Sequence, residues 1–197
     1  MKLTKILMVC MAVLFSGSVF GQKIKVINGD MKALKGVTAL KIEYDYSDLG
    51  VGKFEVEDDY IAKKVAEMNE DEAGTGDSWK EKWFADRPER YEPKYEELFN
   101  KYAESIEAGQ DVESDVTMKV HTTFLEPGFN VGVARKPAFI NLEISFIRGG
   151  EALAVIEMLK CPGSDAWGFD FDTGYRISEA YAKAGKAMAR YLLKYTQ

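Results

Sequence analysis

The sequence predicts an α+β fold, a two-layer sandwich of a mostly antiparallel sheet with helices packed on one face. Three observations lead there. Residues 116–125 and 138–147 alternate apolar and polar side chains at the period of a strand. Residues 152–161 are apolar on both sides except Glu157, as a central strand would be. The chain then closes on a helical stripe that includes Ile177, Ala180, Tyr181, Ala184, Met188 and Leu192.

Residues 1–21 read as a secretory signal peptide. Lys2 and Lys5 make a positive start, residues 6–15 are apolar without interruption, and small residues follow. That apolar run is too short to span a bilayer core, which takes about 20 helical residues. Cleavage is expected between Gly21 and Gln22, with an uncleaved amino-terminal anchor as the other reading. Cys10 follows Val9 rather than the small residue a lipidation site requires, so lipidation is not expected there. The expected location is periplasmic or secreted, with no transmembrane span after cleavage.

The remainder, residues 22–197, reads as a single domain. Residues 23–27 alternate and end at Asn28-Gly29, a strong turn signal. Residues 37–46 form a half-buried strand with Leu40, Ile42, Tyr44 and Tyr46 on one face. Gly50 and Gly52 break the chain before a short extended piece at 53–56. Glu57, Asp58 and Asp59 open a helix at the end the macrodipole favours for acids, and Ile61, Val65 and Met68 give its apolar stripe. Ser78 and Glu81 fit a capping box, so a short helix with Trp79 and Trp83 one turn apart is expected to end by Arg87, before Pro88. Pro93 suits the first turn of the next helix, which carries Tyr95, Leu98, Phe99, Tyr102 and Ile106 and closes at Gly109. In strand 116–125, Val116, Met118, Val120 and Phe124 share a face. The final helix runs from Thr173 to about Tyr195, and its small residues, Gly185 among them, let it lie close against a sheet. The order is β-β-α-α-α-β-β-β-α.

Composition narrows the function classes. The chain has 197 residues, 46% hydrophobic and 29% charged, with mean hydropathy −0.25, the profile of a globular protein rather than a disordered or multispan one. A formal charge of −6 becomes −8 once a signal holding two lysines and no acid is removed, which argues against nucleic acid as a partner. Cys161 is then the one remaining cysteine, so it cannot form an internal disulfide, and burial is the expectation.

Chemistry is sparse. His121 is the single histidine and shares the polar face of its strand with Lys119 and Thr123. If strands 116–125 and 138–147 pair, His121 is expected near Asn141 and Lys119 near Glu143. Those four residues are the candidate binding patch, although cross-strand ion pairs on a wet face explain the same residues. A Cys161/His121 nucleophile–base pair is arithmetically available but has no local signature. Asp165, Asp170 and Asp172 have the look of a calcium loop, yet Gly174 stands where a ligand belongs and Tyr175 where the turn glycine does. Asp172 is better read as the cap of the last helix. Trp79, Trp83 and Trp167 could stack on sugar rings, with core packing the plainer reading of the first two. Nucleotide-binding, hydrolase and zinc-protease motifs are all missing. No catalytic residue, cofactor or metal is expected.

The signal, the hairpin-rich middle and the closing helix from Gly174 to Lys186 resemble small bacterial envelope proteins. The element order is loosely similar to the α/β sandwich of the TolB amino-terminal domain and of lipoprotein activators of peptidoglycan synthases. That resemblance implies a non-catalytic, partner-binding domain and carries no site residue across; the absent lipobox departs from the activators. The expectation is therefore an exported, non-enzymatic binding or accessory domain acting on a cell-envelope protein or polymer. Two alternatives stand beside it: an envelope hydrolase using paired carboxylates, on a glycan, and a calcium-dependent structural or adhesion protein. Oligomeric state is left open by the sequence.

Overall fold

The computed structural model describes residues 22–130, 134–163 and 172–196. Its first strand, β1 (Lys23–Gly29), runs into a single 3-10 turn at Met31–Leu34, where Asp30 accepts a hydrogen bond from the Lys32 N–H. Then come β2 (Ala39–Asp45), β3 (Gly50–Val51), α1 (Glu57–Asp71), α2 (Thr75–Asp86) and α3 (Glu92–Ala103). Two strands follow, β4 (Glu107–Gly109) and β5 (Val116–Glu126), and then a small hairpin of β6 (Phe129–Asn130) and β7 (Arg135–Lys136). The last three are β8 (Phe139–Arg148), β9 (Glu151–Pro162) and α4 (Thr173–Thr196).

The architecture is α+β around one open mixed sheet, ordered β1-β9-β8-β5-β2-β4, with β3 beside β5. β1, β9, β8 and β5 pair antiparallel, whereas β2 and β3 join β5 in parallel and β4 joins β2 in parallel. The first two strands therefore lie far apart, with β9, β8 and β5 between them, and the chain passes from β2 to its parallel neighbour β5 by a crossover that contains three helices. One sheet face is dry. Leu40, Ile42, Val116, Met118, Val120, Leu142, Ile144, Phe146, Ile156 and Met158 are all buried there. α3 and α4 cover that face and pack on each other, while α1 and α2 pair and meet the sheet at β3.

Local expectations are corrected in five places. α2 starts at Thr75 behind Gly74 (φ +88°), and the Ser78 hydroxyl donates back to the Gly74 carbonyl, so Ser78 is not a cap. Pro88 does not stop the helical path: a π-helical turn at Arg87–Tyr91 links α2 to α3. The wider turn accommodates a ring that lacks an N–H and would clash in a regular helix. α3 ends at Ala103, where Glu104 takes φ +55°, so Gly109 lies in β4 rather than at a helix end. The extended piece expected at 53–56 is a turn after β3, closed by Val51 and Phe54. Finally, a bulge between Thr122 and Phe124 reverses the alternation of β5, so Leu125 is buried in the core and Phe124 stacks on Phe139.

The register of β9 is now visible. Ala154, Ile156 and Met158 point inward, and a bulge at Lys160 (φ +54°) restores Cys161 to the core. None of the helices among the described residues is long and apolar enough to cross a membrane.

Candidate functional site

The polar sheet face comes first, because the sequence pointed there. His121 sits opposite Glu143 of β8 and opposite Asp45 of β2, while Lys119 sits opposite Ser145 and Glu43. The expected pairs, His121 with Asn141 and Lys119 with Glu143, are thus displaced by two residues. Alternation decides which face a side chain takes but not which residue it meets, since a slip of two keeps every face unchanged. Lys119 forms an ion pair with Asp45 at 2.7 Å. Burial pushes the Asp45 carboxyl up, but the Lys119 hydrogen bond and the Ser47 N–H outweigh it and hold the group well below the usual range. His121 Nε2 lies 2.7 Å from the Ser47 carbonyl, which can only accept, so the ring donates from Nε2. Asn141 Oδ1 accepts the Lys160 N–H at the β9 bulge. Three of the four candidates therefore hold the fold's own backbone or side chains.

Cys161 and His121 do not meet. Cys161 lies in the core under α3 and α4, where burial pushes its thiol up to about 12, and His121 is on the opposite side of the sheet. Asp165, Asp170 and Trp167 lie outside the described residues. Asp172 accepts hydrogen bonds from the Gly174 and Tyr175 N–H groups, as a helix cap should. Among the described residues no group of three or more His, Cys, Asp or Glu side chains is placed to hold a metal.

A second location has more of the character of a site. A cleft of about 370 Å³ opens between α2 and the start of α4, lined by Trp79, Lys82, Trp83, Asp86, Asp172, Thr173 and Gly174. Helical spacing builds one wall, because positions 79, 82, 83 and 86 fall on a single face of α2. The indoles are 5.4 Å apart, and Tyr60 packs against both. Trp83 is 5% exposed and donates its Nε1–H to Glu57, which also grips Arg87 at 2.5 Å. Arg87 in turn lies over the Tyr46 ring at 4.2 Å. This network fixes Trp83 and leaves the half-buried Trp79 at the cleft.

The other wall is electrostatic. Arg90 spans two carboxylates, with Nε 3.0 Å from Asp86 and Nη1 2.9 Å from Asp172, and Lys82 approaches Asp172 at 3.6 Å. Asp86 is 4% exposed, and burial raises its carboxyl above the ordinary value, with Arg90 opposing and Asp172 reinforcing the rise. For Asp172 burial also acts upward, but the Arg90 hydrogen bond and the Tyr175 N–H prevail and lower it. Gly174 is required at this junction: a Cβ there would stand 2.1 Å from Asp86 Oδ2. The α4 side is braced further by buried Arg176, whose guanidinium donates to the Pro127 and Gly128 carbonyls and to Thr173.

The core-packing reading of Trp79 and Trp83 holds for Trp83 and half holds for Trp79. What the sequence reading missed is Lys82, Asp86 and Arg90. The signal was present, because Lys82, Trp83 and Asp86 continue the Trp79 face at i+3, i+4 and i+7. Stopping at Pro88 hid Arg90, and nothing local joins this face to Asp172.

No known protein family matches the chain, and no curated protein matches it. Among solved structures it is similar to a PelC dodecamer from Paraburkholderia phytofirmans, at TM-score 0.37 and 8% identity, covering 83% of this chain and 96% of that one. So distant a likeness assigns no activity.

Proposed function

We propose that this protein is an exported, non-enzymatic binding domain for a saccharide of the cell envelope, and that its ligand seat is the α2–α4 cleft. The observation that supports the reading is the pairing of an indole wall with fixed polar groups. A sugar offers a weakly polar ring face and a rim of hydroxyls. Trp79 suits the first, and the Lys82 ammonium suits the second. Binding is favoured over hydrolysis because both carboxylates are already engaged. Asp172 is a helix cap held by Arg90, and Asp86 is nearly sealed behind Gly174.

Titration with chito-, cello- and manno-oligosaccharides, followed by tryptophan fluorescence and calorimetry, tests this. At least one series should bind, and Trp79→Ala and Lys82→Ala should each weaken it by about tenfold or more, the scale of a lost stacking or charge-assisted contact. Absence of binding by all three series at millimolar concentration overturns the assignment. The hydrolase reading keeps one specific support, the opposite shifts of Asp86 and Asp172, which is how acid and base roles are separated. It predicts release of new reducing ends that Asp86→Asn abolishes; the binding reading predicts none.

A further inference from the structure

The sequence is acidic overall, at −6, but one groove carries the opposite charge. It lies between α4 and the β1–β9 edge, holds about 530 Å³, and is lined in part by Lys183, Lys186, Arg190, Lys194 and Tyr191. Among the described residues, its charged lining residues are all cations. At roughly 100° per residue the four fall within about 80° of the helix circumference. They extend for roughly 16 Å along α4. The stripe is therefore continuous.

Among the described residues these cations form no internal ion pair. Lys186 and Arg190 lie 4.5 and 4.7 Å from the centre of the Tyr102 ring, and Lys194 lies 5.4 Å from that of Tyr191. Lys183 gives one hydrogen bond to the Gly163 carbonyl. Aromatic faces orient the charges without neutralising them. A polymer within the groove meets this local field most strongly, since charges are screened beyond about 8 Å at physiological ionic strength; Glu179, one turn before Lys183, is the acid of α4 nearest the stripe.

We infer that this groove binds an anionic polysaccharide, a glycan chain with carboxylate groups repeated along its length. Three features select a glycan over a membrane surface. The site is concave; the α4 residues Ala187 and Tyr191 that line it are half-buried rather than projecting; and the exposed large apolar residues Ile27, Val56, Phe84, Phe129 and Tyr175, the last on α4, do not line it. Tyr191 lines the groove, and the Tyr102 ring holds Lys186 and Arg190 in place along it. This groove shares no residue with the α2–α4 cleft, so the two assignments stand or fall separately.

The test uses polygalacturonate as probe, with dextran and phosphatidylglycerol vesicles as comparisons. Wild-type protein should bind polygalacturonate, weaken steeply with added salt, and ignore dextran in this assay. Joint substitution of Lys183, Lys186, Arg190 and Lys194 by Gln should reduce binding at least tenfold. The milder pair Lys186→Gln and Lys194→Gln, checked for an unchanged thermal transition, should give a smaller loss. Failure to bind at low salt, binding that survives the fourfold substitution, or binding to vesicles but not polygalacturonate overturns the inference.

Discussion

Asp45 and Lys119 illustrate what a surface charge pair contributes at the scale of single residues. Their 2.7 Å contact crosses from β2 to β5 on the open face, with side-chain exposures of 20% and 43%. Such pairs are worth about 0.2–1 kcal/mol once solvent screening is counted. The sign with pH follows from the direction of the Asp45 shift. Its folded-state value is depressed, so the pair's contribution is complete above the unfolded Asp value of about 3.9 and fades as pH falls through and below it. Lys119→Met should therefore cost about 0.2–1 kcal/mol at pH 7. Its difference from wild type should begin to shrink as pH falls below about 3.9 and go on shrinking through pH 2, because the folded-state value lies lower still. Urea unfolding of both proteins across that range measures this, and a difference independent of pH would remove the ion pair as its source.

At the scale of elements, a glycine lets two helices approach closely. A Cβ at Gly185 would stand 2.2 Å from the Tyr95 carbonyl oxygen, so α3 and α4 are in backbone contact there. Gly185 thus serves helix-on-helix packing, while α4 also lies on β8 and β9 as the sequence suggested. Gly185→Ala sets two effects against each other. Helix propensity favours Ala by about 1 kcal/mol, whereas overpacking a close-packed contact costs about 1–3 kcal/mol. The clash is with backbone rather than a flexible side-chain end, so destabilisation should win. A lowered urea midpoint with unchanged slope is the expected result. A second element-scale device is the Thr122 hydroxyl, which meets the Tyr181 hydroxyl at 2.7 Å inside the core and ties β5 to α4.

For the molecule as a whole, the core is continuous from the β1 edge through the helical layer, and Cys161 reports on it. The thiol is 0% exposed, takes a hydrogen bond from Gln22, and is pushed up to about 12 by burial. Access and thiolate formation both require opening of the β9 end of the sheet. A thiol reagent at pH 8 should leave native protein unlabelled over many minutes and label it stoichiometrically in denaturant. Rapid labelling of the native protein would mean that this part of the core opens locally.

How much of this was legible beforehand depends on the range of the interaction concerned. β5, β8, β9, α1 and α4 were readable because alternation and helical spacing are properties of neighbouring residues, and burial of one face enforces them. Short β4 and the β6–β7 hairpin were not, since strands of two or three residues carry no period. The capping box at Ser78 was a local pattern overridden by a helix that had already begun at Thr75. Sheet order, the two-residue displacement of His121 and Lys119 from their expected partners, and the parallel pairing of β2 were decided only by the assembled fold. The cleft belongs with these. Asp86 and Arg90 stand more than eighty positions before Asp172, and only the packing of α2 and α4 brings a buried carboxyl, a guanidinium and a helix cap into one place. Short-range periodicity was written along the chain, whereas contacts between distant segments depend on which buried faces find one another, and no local pattern encodes that choice.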